Sequence, residues 1–226
     1  GSSLVGSEMC IRDSLYTSGT TGRSKGAMLT QNNLLSNAKT LKNLWEINED
    51  DILIHALPIF HTHGLFVALN TALLAGAEVT FLQKFKITEI IEAIRASTLL
   101  MGVPTFYTRL LADERLTAHV TKNMRLFISG SAPLLTETHK EFTRRTGHYI
   151  LERYGMTETN MITSNPYNGE RRPGTVGKPL PDVEIQINDT QTGRENADGE
   201  IGMIEVRGPN VFKGYWNMPD KTALEL

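Results

Sequence analysis

Hydroxyls, glycines and a lysine crowd the stretch Leu15–Gly26, LYTSGTTGRSKG. Thr17, Ser18, Thr20, Thr21 and Ser24 stand among Gly19, Gly22 and Gly26, with Lys25 near the end. Such a loop suits a polyphosphate: glycines let backbone N–H groups converge on anionic oxygens, hydroxyls donate further bonds, and the ammonium offsets charge. It is not the P-loop pattern GxxxxGK[ST], because Gly26 follows the lysine where a serine or threonine should stand to hold magnesium. Two further strings invite chemistry: Tyr154-Gly155-Met156-Thr157-Glu158, and Gly130-Ser131-Ala132-Pro133-Leu134 at the end of an apolar run. His61 and His63 stand two apart, but no third ligand converges at useful spacing, which argues against zinc.

The first string resembles the phosphate-binding signature of the adenylate-forming (ANL) superfamily, which takes in acyl-CoA synthetases, peptide-synthetase adenylation domains and luciferases. Tyr154–Glu158 is similar to that superfamily's second strongest motif, and the resemblance extends from Leu15 to about Thr222. It implies that Thr17, Ser18, Gly19, Thr20, Thr21, Gly22, Arg23, Ser24 and Lys25 hold the phosphates of ATP while a carboxylate attacks the α-phosphorus. The resemblance also implies that Tyr154 stacks on adenine beside Gly155, that Thr157 meets the α-phosphate and that Glu158 ligates Mg²⁺. A flat π-face suits a purine, and a hard oxygen ligand suits Mg²⁺. Gly130, Ser131, Ala132 and Pro133 are expected to line both the adenine and the acyl pocket, at a strand's carboxyl end where open α/β sheets bind ligands. The catalytic set so implied is Lys25, Thr157, Glu158 and His61, with ATP and Mg²⁺ as cofactors and CoA as co-substrate. Gly174–Pro179, Gly199–Gly202 and Gly214-Tyr215-Trp216 match later family motifs and read as structural, the Tyr and Trp as core fillers.

Substrate choice is expected between Pro58 and Ser131. His61 follows an aromatic residue, as in acyl- and aryl-CoA synthetases, whereas amino-acid-activating relatives place an aspartate there. No acid occurs from Ile52 through Ala77, which argues against amino-acid activation. Arg109 follows Pro104-Thr105-Phe106-Tyr107-Thr108 on a helix expected to wall the pocket. An inward arginine needs an anionic partner, which a second substrate carboxylate would supply as a bidentate pair. The expected substrate contacts are His61, Arg109 and Ser131, and the pocket strings are most similar to those of malonate-activating members. A short fatty or aryl acid, with Arg109 facing solvent, is the alternative substrate. A non-catalytic nucleotide-binding relative is the alternative of another class.

Composition sets bounds on these readings. At 226 residues, 40% hydrophobic and 21% charged, the chain reads as an ordinary globular protein able to bury a sizeable core. A net charge of −2 gives no reason to expect nucleic acid or an anionic membrane as partner. The longest apolar run, Gly64 to Val79, is broken by Asn70, Thr71 and Glu78 and is too short to span a bilayer. One cysteine excludes an internal disulfide. The chain reads as cytoplasmic in type, and related enzymes also occur in mitochondria.

Both ends are irregular. Residues 1–14 show no periodicity and are similar to translated sequencing-adapter sequence, so a non-native leader is expected. Asp13 and Ser14 stand where a phosphate loop should follow an apolar strand. The resemblance places a ribose-binding aspartate, a hinge and a small C-terminal domain with a catalytic lysine beyond Leu226, so residues 15–226 are expected to be an incomplete N-terminal adenylation domain.

The remaining chain must position these groups. Strand-like runs at Ile52–Leu57, Glu78–Leu82, Thr98–Val103, Met124–Ser129 and Tyr149–Arg153 alternate with helical patterns. Those helices are expected to begin at Thr30, Thr88, Pro104 and Thr136, with a further one ending at Gly76. This predicts an α/β fold with a helix-covered, largely parallel sheet. Beyond Asn165, prolines, glycines and short strands predict a β-rich, barrel-like portion with a turn at Asp198-Gly199.

Overall fold

The computed structural model describes residues 11–18 and 24–226. Its central feature is a seven-stranded sheet of order β4-β3-β5-β6-β7-β8-β9. Five strands run parallel: β3 (Ile52–His55), β4 (Glu78–Phe81), β5 (Leu99–Gly102), β6 (Leu126–Ser129) and β7 (Leu151–Met156). All four residues of β5 and of β6 are buried, as central strands covered on both faces must be, which is why they read as unbroken apolar runs. The sheet then turns antiparallel through β8 (Asn160–Ser164) and β9 (Lys178–Pro179).

Helix α1 (Gln31–Leu44) starts at Thr30 through a reciprocal cap. Asn33 N–H donates to Thr30 Oγ1 at 3.1 Å and Thr30 N–H to Asn33 Oδ1 at 2.8 Å, contributing on the order of 1 kcal/mol. Past α1, Trp45 is fully buried and its indole N–H donates to Ser164 Oγ at 3.0 Å, fastening the helix to β8. A π-helical segment, His63–Leu69, runs into α2 (Asn70–Ala75), and Gly76 closes it at φ 75°, a left-handed position that favours glycine. Helices α3 (Ile87–Ile94), α4 (Pro104–Leu111) and α5 (Thr136–Thr146) complete the crossovers, α5 ending on Gly147 at φ 80°.

The helix starts differ slightly from expectation. Thr88 does not cap α3: the flanking residue is Lys86, with no side-chain cap, and Thr88 lies inside the helix. Thr136 is the first residue of α5 rather than its cap, which is Leu135. Pro104 opens α4 as expected, since a first-turn residue has no intrahelical N–H bond to lose.

Two ribbons stand outside the large sheet. β1 (Ile11–Ser18) pairs antiparallel with β2 (Ser24–Thr30), Thr17 opposite Lys25, so backbone strand geometry continues through Asp13 and Ser14 despite their polarity. The barrel-like portion takes the form of an open ribbon, β10 (Glu184–Asn188) with β11 (Met203–Arg207), together with β9 on the main sheet. The turn at Asp198-Gly199 is present, with Gly199 at φ 92°. A final short helix, α6, spans Pro219–Glu225.

Two apolar clusters form. The larger fills both sides of the sheet around Leu53, Ile54, Leu99, Phe127, Tyr107 and Phe142. The smaller joins Ala27, Leu29, Leu34, Phe66, Phe212 and Tyr215, and it brings the end of the chain onto β2 beside Lys25. No helix among the described residues is long and apolar enough to cross a membrane.

Candidate active site

The carboxyl ends of β3, β5, β6 and β7 open onto a cavity of about 730 Å³, a size that suits a small ligand. The segment after β3 supplies Pro58, His61, Thr62 and His63, and the entry to α4 supplies Val103 and Phe106. Ser131 enters from the turn after β6, Lys25 from β2, and Arg153, Gly155, Thr157 and Glu158 from β7 and the turn beyond it. Elements far apart in sequence thus bring together Lys25, His61, Ser131, Gly155, Thr157 and Glu158, all named from sequence.

A neighbouring cavity of about 440 Å³ shares Ser131, Arg153 and Gly155 with the first. Ala132, Pro133 and Tyr154 line it, facing Gly174 and Val176. The Tyr154 ring is 37% exposed, an open aromatic face of the kind a purine would stack on. Ser131 holds a left-handed backbone at φ 68°, strained for a non-glycine residue, which aims the turn between the two cavities. Gly130 lines neither cavity. It lies behind Ser131, where an added Cβ would fall 2.4 Å from Arg153 Cζ.

Of the phosphate loop, Gly19, Thr20, Thr21, Gly22 and Arg23 lie outside the described residues, and Thr17 and Ser18 are described by their backbone alone. Ser24 is exposed at the start of β2. Lys25 donates to the Tyr215 hydroxyl at 3.3 Å, lies 4.6 Å from that ring's centre, and has Glu225 at 3.8 Å. Tyr215 in turn donates to Glu158 Oε1 at 2.8 Å. Burial, then that bond and the charges of Glu158 and Glu225, raise the phenol's pKa, so it stays a donor. Glu158 is buried at the cavity wall with one oxygen bonded to Tyr215. Its carboxylate fits Mg²⁺, which is commonly held by one or two carboxylates plus substrate phosphates.

At the acyl end, His61 is exposed and tilted against Phe60, their ring centres 4.7 Å apart. His63 is buried, its Nδ1 3.1 Å from Ser131 Oγ, within hydrogen-bond distance. Burial, followed by the nearby Arg153 charge and His55, holds His63 well below the usual imidazole range, so it is neutral at pH 7. Arg109 stands apart from this group. It is exposed on α4, its guanidinium 4.4 Å from the centre of the Phe85 ring, and it does not line the cavity.

The arginine that does line it is Arg153, which sequence reasoning passed over. Arg153 is 3% exposed, and its Nε and Nη2 have no hydrogen-bond partner among the described residues. Burial without a counter-ion pushes its pKa down to about 10. Other buried polar atoms nearby also lack partners among the described residues, including Thr62 Oγ1, His63 Nε2 and Ser129 Oγ. Such a cluster of unmet donors is costly unless a ligand meets it. The sequence signal was Arg153's place directly before Tyr154-Gly155, in the strand that carries the motif.

Residues 14–216 match the family model described as AMP-binding enzyme. A malonate–CoA ligase of Arabidopsis thaliana is 41% identical over 228 residues, covering 92% of this chain and 37% of that protein. Among solved structures, ATP-bound MatB from Rhodopseudomonas palustris aligns with a TM-score of 0.92 at 62% identity, over 94% of this chain and 42% of the other. A malonyl-CoA ligase ternary product complex, with methylmalonyl-CoA and AMP bound, gives 0.85 at 41% identity, over 93% and 46%. The chain thus spans less than half the length of these relatives.

Proposed function

The chain belongs to the AMP-binding enzyme family, and on that premise we propose that it is the adenylating part of an AMP-forming acid–CoA ligase whose acid is malonate or methylmalonate. One observation carries the choice of acid: the buried guanidinium of Arg153 in the cavity wall, whose Nε and Nη2 have no partner among the described residues. A monocarboxylic acid would present its single carboxylate to ATP and leave that charge unmet. A dicarboxylic acid has a second carboxylate to set against it in a charge-assisted, two-pronged hydrogen bond. Ser131, aligned by neutral His63, adds a hydroxyl to the same end. Arg153 thereby takes the role expected of Arg109.

The reaction follows in two halves. A carboxylate oxygen of the acid attacks the α-phosphorus, the bond to the bridging oxygen breaks, and pyrophosphate leaves. The sulfur of CoA then attacks the acyl carbonyl, the thiol proton is lost and AMP departs. Lys25 contributes positive charge at the phosphate end, and Thr157 a hydroxyl on the same wall. When bound, magnesium supplies neutralisation of phosphate charge, and Glu158 is the residue that would hold it. Catalysis in the first half is positioning plus charge stabilisation.

The test is acid-dependent ATP–pyrophosphate exchange by the chain completed to the length of its relatives. Exchange with malonate or methylmalonate, lost in Arg153→Met and retained in Arg109→Ala, is the expected result. Exchange with acetate, octanoate or coumarate alone refutes the dicarboxylate reading. Loss in Arg109→Ala with retention in Arg153→Met would return the role to Arg109.

A further inference from the structure

We propose that Tyr215 is a positioning residue of the phosphate end, holding the Glu158 carboxylate and the Lys25 ammonium in register for ATP and its metal; this rests on the adenylation reading above. In the Gly214-Tyr215-Trp216 string the Tyr215 ring packs as a core filler. Its edge meets Phe212 at 4.9 Å and 69° in the smaller apolar cluster. Packing alone accounts for a phenylalanine at this position. It does not account for the hydroxyl.

That hydroxyl is the single atom joining the two charged groups. It donates to Glu158 Oε1 at 2.8 Å and accepts from Lys25 Nζ at 3.3 Å. The three residues lie in segments more than fifty positions apart, and backbone bonds hold those segments together. Trp216 N–H donates to Gly26 O at 2.8 Å, Lys213 N–H to Met28 O at 2.9 Å, and Met28 N–H to Gly214 O at 2.9 Å. Phe212 N–H donates to Glu158 O at 2.8 Å. The segment 212–216 is therefore stitched to β2 immediately after Lys25 and to the turn that carries Glu158. Tyr215 itself is fixed from behind, its own N–H donating to Thr222 Oγ1 at 2.9 Å.

Two consequences follow for ligand binding. With Oε1 held by the phenol, the Glu158 carboxylate cannot swing freely, and its second oxygen is the one left for a metal. With Lys25 resting on the phenol oxygen and over the ring, the ammonium is kept at the cavity wall. Without that contact the ammonium, already 3.8 Å from Glu225, would be drawn closer to that acid or onto Glu158. Preorganised charge of this kind is what a phosphate site gains most from, because no reorganisation is then needed on binding.

The experiment is calorimetric titration with ATP of the chain completed to the length of its relatives, in EDTA and in excess Mg²⁺, for the unsubstituted chain, Tyr215→Phe and Glu158→Gln, with thermal unfolding of each. Tyr215→Phe keeps the ring and its packing, so its melting temperature should stay within a few degrees of the parent. Its ATP affinity in Mg²⁺ should fall by roughly tenfold, the scale of one hydrogen bond to a charged group. The loss should be smaller in EDTA, where Glu158 has no metal to hold. The Tyr215→Phe/Glu158→Gln double variant should lose less affinity in Mg²⁺ than the two single losses added together, since both changes break the Tyr215–Glu158 link while only one frees Lys25. Equal losses in Mg²⁺ and EDTA, or unchanged affinity on a chain that binds ATP, would overturn the proposal and leave Tyr215 a packing residue. No ATP binding by the unsubstituted chain would sink the adenylation reading, and this one with it.

Discussion

Replacing Arg153 by methionine should make the empty protein more stable and blind to malonate. Burial pushes the Arg153 guanidinium down from its usual range to about 10. Its proton is held less tightly in the fold than in the unfolded chain. The charged form therefore opposes folding at every pH below about 10, and the penalty lifts only as pH rises from there towards the usual arginine range. At pH 7 the full difference applies, about 3 kcal/mol at roughly 1.4 kcal/mol per pH unit. Methionine is flexible, apolar and fills part of the same space, so some packing is lost and a net gain of about 1–3 kcal/mol remains. For a chain of this length that raises the melting temperature by roughly 3–9 °C. Malonate should do the same for the parent, since a ligand at a hundredfold excess over its Kd adds about 2.7 kcal/mol. Scanning calorimetry at pH 7, with malonate and with acetate, checks all of this. The parent should shift with malonate and not with acetate, while Arg153→Met should start higher and shift with neither. A variant that melts lower than the parent and still responds to malonate would refute the reasoning.

Gly130→Ala should act on the same arginine from behind. The new Cβ would fall 2.4 Å from Arg153 Cζ, and the movable party is a side chain rather than backbone. Stability should change by less than about 1 kcal/mol, while malonate affinity drops at least tenfold and ATP affinity holds, as read by titration with each ligand. At the far end of the sheet, Asp51 is buried and bonded by Arg125 Nε and Thr98 Oγ1, each at 2.7 Å. Burial pushes the Asp51 carboxyl up, but the bonds from Arg125 and Thr98 outweigh it and the pKa ends below the usual 3.8. The stability this provides is complete above the unfolded value and is lost as pH falls through the lower folded one. Asp51→Asn should therefore flatten the acid limb of a urea-stability profile below pH 4. Arg125→Met should cost about 3 kcal/mol at pH 7 by leaving Asp51 buried without its cation.

What the sequence made legible was local. The Leu15–Gly26 loop, the Tyr154–Glu158 string and the alternation of apolar runs with amphipathic stretches each declare themselves within a dozen residues. Gly76 and Gly147 close their helices because a left-handed residue after the last turn is a strictly local demand. The exposure of Arg109 was not decidable in the same way: on α4 it lies about 100° from buried Leu110 but only about 60° from buried Phe106, so helix periodicity alone did not turn it away from the pocket. What stayed hidden depends on closure over long separations. β8 is short and carries Asn160, Thr163 and Ser164, so it has no apolar signature of its own. It becomes a strand because β7 offers it an edge and Trp45 and Asn37 anchor it from α1. The link from Lys25 through Tyr215 to Glu158 likewise exists only once the chain's end has returned to β2.

One strand ties the two ends of the proposed reaction together. β7 leaves the parallel sheet after Glu152 and pairs antiparallel with β8, with an irregularity between Tyr154 and Gly155. Glu152, before the change, is held by His139 Nδ1 at 3.1 Å and accepts from Gly174 N–H at 3.1 Å, which fixes the strand and the loop facing Tyr154. Arg153 then lines both cavities, Tyr154 the smaller one and Glu158 the larger one. Gly155 sits where the strands close up. A Cβ there would fall 2.0 Å from the Asn160 carbonyl oxygen, so no side chain can be accommodated without moving backbone. Six consecutive residues, Arg153–Glu158, thus set the spacing between a buried cation, an open aromatic face and a carboxylate. Any shift of β7 along its neighbours would move all three at once, so the acid's length and the nucleotide's position are fixed by the same piece of backbone.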